Sequence, residues 1–257
     1  MIVVTAASSN HAGALRYMLA SLERLQARVD CYDLGLTKSE VESLPRWDGL
    51  FYHKFDYASH PPHMNVEVNA GEYAWKPAIV AEVVERTRAS GEPQDVLWSD
   101  AGSYFDALEP IAERIQASDG LWLRRSSGTV AQWTHPGTLA ALGDATGLRD
   151  RPNADATLVG FATGHRSVKI RERVYRDIIV PWRECAMNRD CIAPSGSSRR
   201  NHRQDQAVLS CLVHKAGFAF AGERRAELGV RCKCDRWFYD YIGFHVPAPV
   251  YAWCCLY

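Results

Sequence analysis

The residues able to do chemistry gather in a few short stretches. In Val96-Leu97-Trp98-Ser99-Asp100-Ala101-Gly102 a compact apolar run ends on an acid followed by small residues. A strand of that kind delivers a carboxylate at its carboxyl end, where open α/β sheets bind ligands. Such a carboxylate can hold a hard divalent cation, which in turn neutralises a diphosphate. The competing reading is an Asp that caps the turn after it.

A second stretch, Asn201-His202-Arg203-Gln204-Asp205-Gln206, opens a helix. Asp205 falls in the first turn, where the helix dipole favours an anion. An acid and an amide aimed into a cleft could orient a substrate hydroxyl or take its proton. Plain helix-start chemistry, with Asn201 or His202 near the cap, is the alternative. The loop Ser195-Gly196-Ser197-Ser198-Arg199-Arg200 offers hydroxyls and two guanidinium forks that match phosphate oxygens. A solvated loop accounts for it equally well, and its spacing excludes a P-loop. In Tyr73-Ala74-Trp75-Lys76-Pro77 an aromatic could stack on a base or sugar while the Lys meets a phosphate. A core Trp beside a surface Lys is the simpler account. His245 is a late candidate for a metal or phosphate contact, although a lone His is more often structural. Paired metal-binding histidines, a nucleophile elbow and the dinucleotide glycine fingerprint are absent.

These stretches need a scaffold, and the first third of the chain spells one. Strand patterns at residues 2–6, 29–34, 49–54 and 95–99 alternate with helical ones at 11–28, 37–44 and 72–90. Strands alternating with crossover helices predict a mostly parallel sheet with covered faces. The second half is more irregular, with strands expected at 121–123, 157–161 and 218–221 and helices at 167–182 and 205–215. Between those helices, 188–203 reads as a functional loop. The aromatic tail, 237–257, is too apolar to hang free and is expected to pack back on the sheet. With no repeats and no linker, the expectation is one domain over 1–257.

Composition narrows the classes. With 257 residues, 47% hydrophobic and 23% charged, disorder is excluded. No apolar run approaches the roughly 18–20 residues of a membrane-spanning helix. The opening Met1-Ile2-Val3-Val4-Thr5-Ala6 has no basic leader, which predicts a cytoplasmic protein. The 8 Cys form no paired zinc units, so scattered thiols are expected. A Cys185–Cys191 bridge and a site at Cys232/Cys234 stay open. Thirty bases balance thirty acids, yet residues 1–128 carry a net −6 and 129–257 a net +6. A basic excess of that kind is the usual footprint of phosphate-bearing ligands or nucleic acid. The seam between the two halves is where a site is expected.

Taken in order, these stretches resemble the nucleotide-diphospho-sugar transferases of the GT-A type. The resemblance spans residues 1–215 and is more specific to a little-characterised branch. Its marks are Trp182…Cys185-Ala186…Cys191-Ile192-Ala193-Pro194 followed by His202-Arg203-Gln204-Asp205-Gln206. It implies an α/β fold with a mostly parallel sheet flanked by helices and an irregular C-terminal part. Residues 1–128 would form the donor half and 129–257 the acceptor half. It further implies a nucleotide-sugar donor and a divalent cation, Mn2+ or Mg2+, with Asp100 standing where a D-x-D motif belongs. That run has only one acid here, and His245 is the candidate to complete the metal shell. Asp205 and Gln206 would be catalytic, and Thr5, Ala6, Trp75, Lys76, Arg199, Arg200 and His202 would hold the donor. The acceptor could be a glycan, a protein, a small molecule or modified nucleic acid. A nucleotidyltransferase and a non-enzymatic phosphate- or nucleic-acid-binding module are the alternatives.

Overall fold

The computed structural model describes residues 1–143 and 146–232. Strand β1 (Ile2–Ala7) is β-branched and buried throughout, as a central strand must be. It leads to α1 (Ala12–Arg24), which buries Leu15, Met18, Leu19 and Leu22 at helical spacing. Strands β2 (Val29–Asp33) and β3 (Leu50–Lys54) follow, then α2 (Trp75–Ala89) and β4 (Val96–Ser99). After α3 (Glu109–Gln116) come β5 (Leu121–Trp122) and β6 (Leu158–Phe161). The sheet runs β3-β2-β1-β4-β6-β5. The first four strands are parallel, whereas β6 is antiparallel to both its neighbours. This is the mostly parallel α/β sheet flanked by helices that the sequence predicts.

Alternate side chains feed two cores. Val4, Ala6 and Trp98 pack on one face with α2, while Val3, Ala7 and Leu97 pack on the other with α1 and α3. The first face also receives α4, which runs as Val168–Val174, widens to a π-turn over Tyr175–Ile179 and continues as Val180–Met187. Pro181 opens that continuation, and its missing N–H accounts for the break in the regular ladder. The segment 188–203 holds a short helix, α5 (Arg189–Ile192), and then delivers α6 (Gln204–Lys215).

Several boundaries differ from expectation. The first helix stops at Arg24 because Gln26 turns to a φ of 49°. The expected helix over 72–90 begins only at Trp75, because residues 69–73 form a left-handed turn. Asn69, Ala70, Gly71, Glu72 and Tyr73 all have φ between 48° and 63°. Left-handed residues cost roughly 1–2 kcal/mol each when they are not glycine. Residues 218–221 form a single bridge, Ala221 to Arg124, instead of a strand. The expected packing of 237–257, together with His245 and Cys234, lies outside the described residues.

Candidate functional site at the carboxyl ends of the strands

Lys76 is the second residue of α2 and is only 3% exposed, because the helix starts against the carboxyl ends of the parallel strands. Its Nζ lies 3.1 Å from Asp100 Oδ1 and 2.9 Å from Asp205 Oδ2. It also donates to the carbonyl of Ala156 at 3.1 Å. An ammonium has three N–H donors, and three oxygens surround this one. The Asp205 contact is a close ion pair whose angles fall outside hydrogen-bond geometry. Lys76 also sits 5.4 Å from the centre of the Trp98 ring.

The two acids are presented differently. Asp100 follows β4, its N–H donating to Thr157 O at 2.9 Å. Trp98 Nε1 donates to Asp100 Oδ1 at 2.8 Å, which fixes the carboxylate while its side chain stays 41% exposed. Asp205, in the first turn of α6, has a side chain only 6% exposed. Trp182 Nε1 from α4 donates to the Asp205 carbonyl at 2.9 Å and locks the start of the helix. Burial pushes the Asp205 carboxyl above its ordinary range, with Lys76 pulling the other way. For Lys76 burial disfavours the charge, but Asp100 and Asp205 outweigh it and hold the ammonium above its usual range.

Around this core the left-handed turn meets the basic loop. Gln204, itself at a φ of 39°, donates to Glu72 Oε2 at 3.3 Å. The Arg199 guanidinium lies 4.9 Å over the Tyr73 ring. Left-handed non-glycine residues are therefore concentrated on both sides of one contact, and such strain clusters at functional sites. Arg200 is exposed on the same loop, and Gln206 is half-buried one residue beyond Asp205.

Other expected donor-site residues turn inward. Trp75 is buried, donating from Nε1 to Ala70 O at 3.0 Å, so it braces the left-handed turn and offers no open stacking face. Lys76 is not the surface Lys of the simpler account: its ammonium is buried among Asp100, Asp205 and the Ala156 carbonyl. Thr5 and Ala6 are both buried in β1, with Thr5 on the face away from α2. His202 is fully buried: one ring nitrogen lies 2.8 Å from Ile192 O and the other accepts from the His135 N–H at 3.2 Å. Burial holds its pKa down at about 4, so the ring is neutral and ties two loops together. The bridge left open between Cys185 and Cys191 is formed, fastening α4 to α5.

The divalent cation implied by the sequence can be tested against these side chains. Asp100 Oδ1 and Asp205 Oδ2 are already drawn to Lys76. Among the described residues no group of three or more His, Cys, Asp or Glu could hold a metal ion. The described residues do not fit the metal. His245, the other expected ligand, lies outside them.

The sequence did not single out Trp98, the Ala156 carbonyl, Glu72 or Gln204 as parts of a site. The positive backbone angles were signalled only by Asn69-Ala70-Gly71. A Cβ on Gly71 would lie 2.3 Å from Met64 O, so only glycine fits there.

No family model matches the chain, and no curated protein does. Among solved structures it is similar to LgtC, a galactosyltransferase determined with donor and acceptor sugar analogues. That likeness has 16% identity and a TM-score of 0.49, over 100% of this chain and 83% of that one. An active-site variant of LgtC gives 16% and 0.48 over the same shares. WbbM, a bifunctional glycosyltransferase in its apo form, gives 10% and 0.49, over 82% of this chain and 37% of that one. Superpositions of this kind describe the course of a chain and do not name a substrate. Among the described residues no helix is long and apolar enough to cross a membrane.

Proposed function

We propose that the chain transfers a glycosyl group from a nucleotide-diphospho-sugar to a hydroxyl acceptor. The observation that carries this reading is the Lys76 bridge between Asp100 and Asp205 at the carboxyl ends of the parallel strands. Ligands of open α/β sheets bind there. Of the two acids, Asp100 is the one a substrate can reach. It is positioned to accept the proton of an acceptor hydroxyl, with Trp98 and Lys76 holding its other oxygen. Asp205 acts through Lys76 as a positioning residue, a change from the catalytic role its sequence context suggests. Gln206 follows Asp205 at the same helix start. The guanidinium groups of Arg199 and Arg200 supply charge to a leaving diphosphate, next to the Tyr73 ring.

Part of the basic excess of the second half is spent within the fold. Arg176, Arg183, Arg224, Arg225 and Arg231 are each paired with an acid. Arg173 and Arg203 lie over aromatic rings. These seven guanidinium groups are each engaged with a local partner.

The test is a thermal-shift panel of UDP, GDP, CDP and ADP against the wild type and an Arg199→Ala/Arg200→Ala variant. One diphosphate should raise the wild-type Tm, with a smaller rise in the variant. No shift from any of them would remove the donor assignment.

A further inference from the structure

Nζ of Lys76 sits in a cage of oxygens contributed by three separate segments. Asp100 Oδ1 comes from the end of β4, the Ala156 carbonyl from the run into β6, and Asp205 Oδ2 from the first turn of α6. All lie between 2.9 and 3.1 Å from one nitrogen. Two carboxylates and a backbone carbonyl are the donor types that hard cations select. Here their convergence point is taken by a side chain of the same protein. The helix that carries the nitrogen is anchored by a largely apolar buried face, so the ammonium is built into the fold.

We propose that Lys76 is an internal cation occupying the position of a divalent ion, so that donor binding at this site needs no metal. The inference rests on the proposed transferase reading only for what the site does, because the cage itself is a property of the fold. Electrostatically, the ammonium cancels one of the two carboxylate charges and leaves the exposed Asp100 oxygen as the outward face of a site with one net negative charge. A divalent ion in the same cage would cancel both. The internal cation therefore keeps an anionic acceptor for a proton at the strand ends, and the diphosphate charge falls to the Arg199 and Arg200 loop.

The experiment is Mn2+ titration followed by electron paramagnetic resonance, alongside melting curves with and without Mn2+. It compares the wild type with Asp100→Asn, Lys76→Met and Lys76→Met/Asp100→Asn. The wild type should show no Mn2+ binding that depends on Asp100. Lys76→Met should gain at least a tenfold tighter Mn2+ site, with a Tm raised by the ion, and the double variant should lose both. If Lys76→Met folds only with Mn2+ present, that supports the proposal. If it cannot be folded at all, the wild type decides: Mn2+ binding lost in Asp100→Asn overturns the proposal, and its absence upholds it. A folded Lys76→Met with no gain in Mn2+ affinity also overturns it. Because the readout is metal binding, a failure of the transferase reading shows separately, as absent nucleotide diphosphate binding.

Discussion

Helix α2 carries a cation near each end, and the two ends of the sheet use them in opposite ways. At the amino ends of the strands Arg86 donates to Asp30 Oδ2 at 2.8 Å, and His53 Nε2 lies 2.6 Å from Oδ1. The acid is buried there, while Arg86 is 40% exposed and His53 29%. At the carboxyl ends the order is inverted: Lys76 is buried and Asp100 is the exposed partner. A buried acid roofed by Arg86 and His53 is closed to ligands. A buried cation beneath an exposed acid presents a fixed carboxylate to whatever binds above it. The same helix thus closes the sheet at one end and carries the proposed site at the other.

The largest test of that contrast is removal of each cation. Lys76→Met strands the buried Asp205 without a counter-charge, and breaking such a pair costs about 3–5 kcal/mol. Arg86→Met leaves the buried Asp30 with His53 as a remaining partner and removes a group already partly in solvent, so the loss should be smaller. Urea denaturation of both variants measures the difference, and equal losses would erase the distinction.

Acid should expose the carboxyl-end region next. His202 titrates at about 4 in the folded protein, against an unfolded value near 6.5. Between those values the unfolded chain binds more protons, so stability is complete above about pH 6.5 and declines as the pH falls toward 4. The decline attributable to this ring should approach about 3 kcal/mol. His202→Gln cannot gain the proton, and its urea midpoint should vary less between pH 7 and pH 4.5 than that of the wild type. An identical pH dependence in the two proteins would assign the decline to other groups.

Glycines on either side of α2 give a smaller contrast. Gly71 has a φ of +63° and would place a Cβ 2.8 Å from Trp75 Cδ1 as well as against Met64 O. Gly71→Ala should cost about 2–3 kcal/mol from strain and overpacking. Gly91, past the other end, has a φ of +75° but nothing within 4 Å of its added Cβ. Gly91→Ala should cost only about 1 kcal/mol, the backbone component alone. Melting temperatures of the two variants would test this ordering, and a larger loss for Gly91→Ala would reverse it.

The scaffold was legible because burial writes itself into residue type. The apolar strands at β1 and β4 and the period of α1 led directly to the parallel sheet, and Asp100 at a strand end was visible for the same reason. The site's wiring was not. A Lys beside a Trp reads as surface and core, and only the tertiary approach of α6 turns Lys76 into the buried partner of two acids. His202 looked available because sequence cannot show that both ring nitrogens are spent on Ile192 and His135. The left-handed turn at 69–73 overrode a helical pattern that continued through Glu72, and Trp75 was consumed in bracing it.

The most direct measurement is a donor hydrolysis screen, in which wild type and Asp100→Asn are incubated with a panel of nucleotide-sugars and the released diphosphate is quantified. The wild type should release diphosphate from at least one donor, undiminished by EDTA, and Asp100→Asn should lower that rate about 100-fold or more. No release from any donor, or an Asp100→Asn rate equal to wild type, would contradict the account.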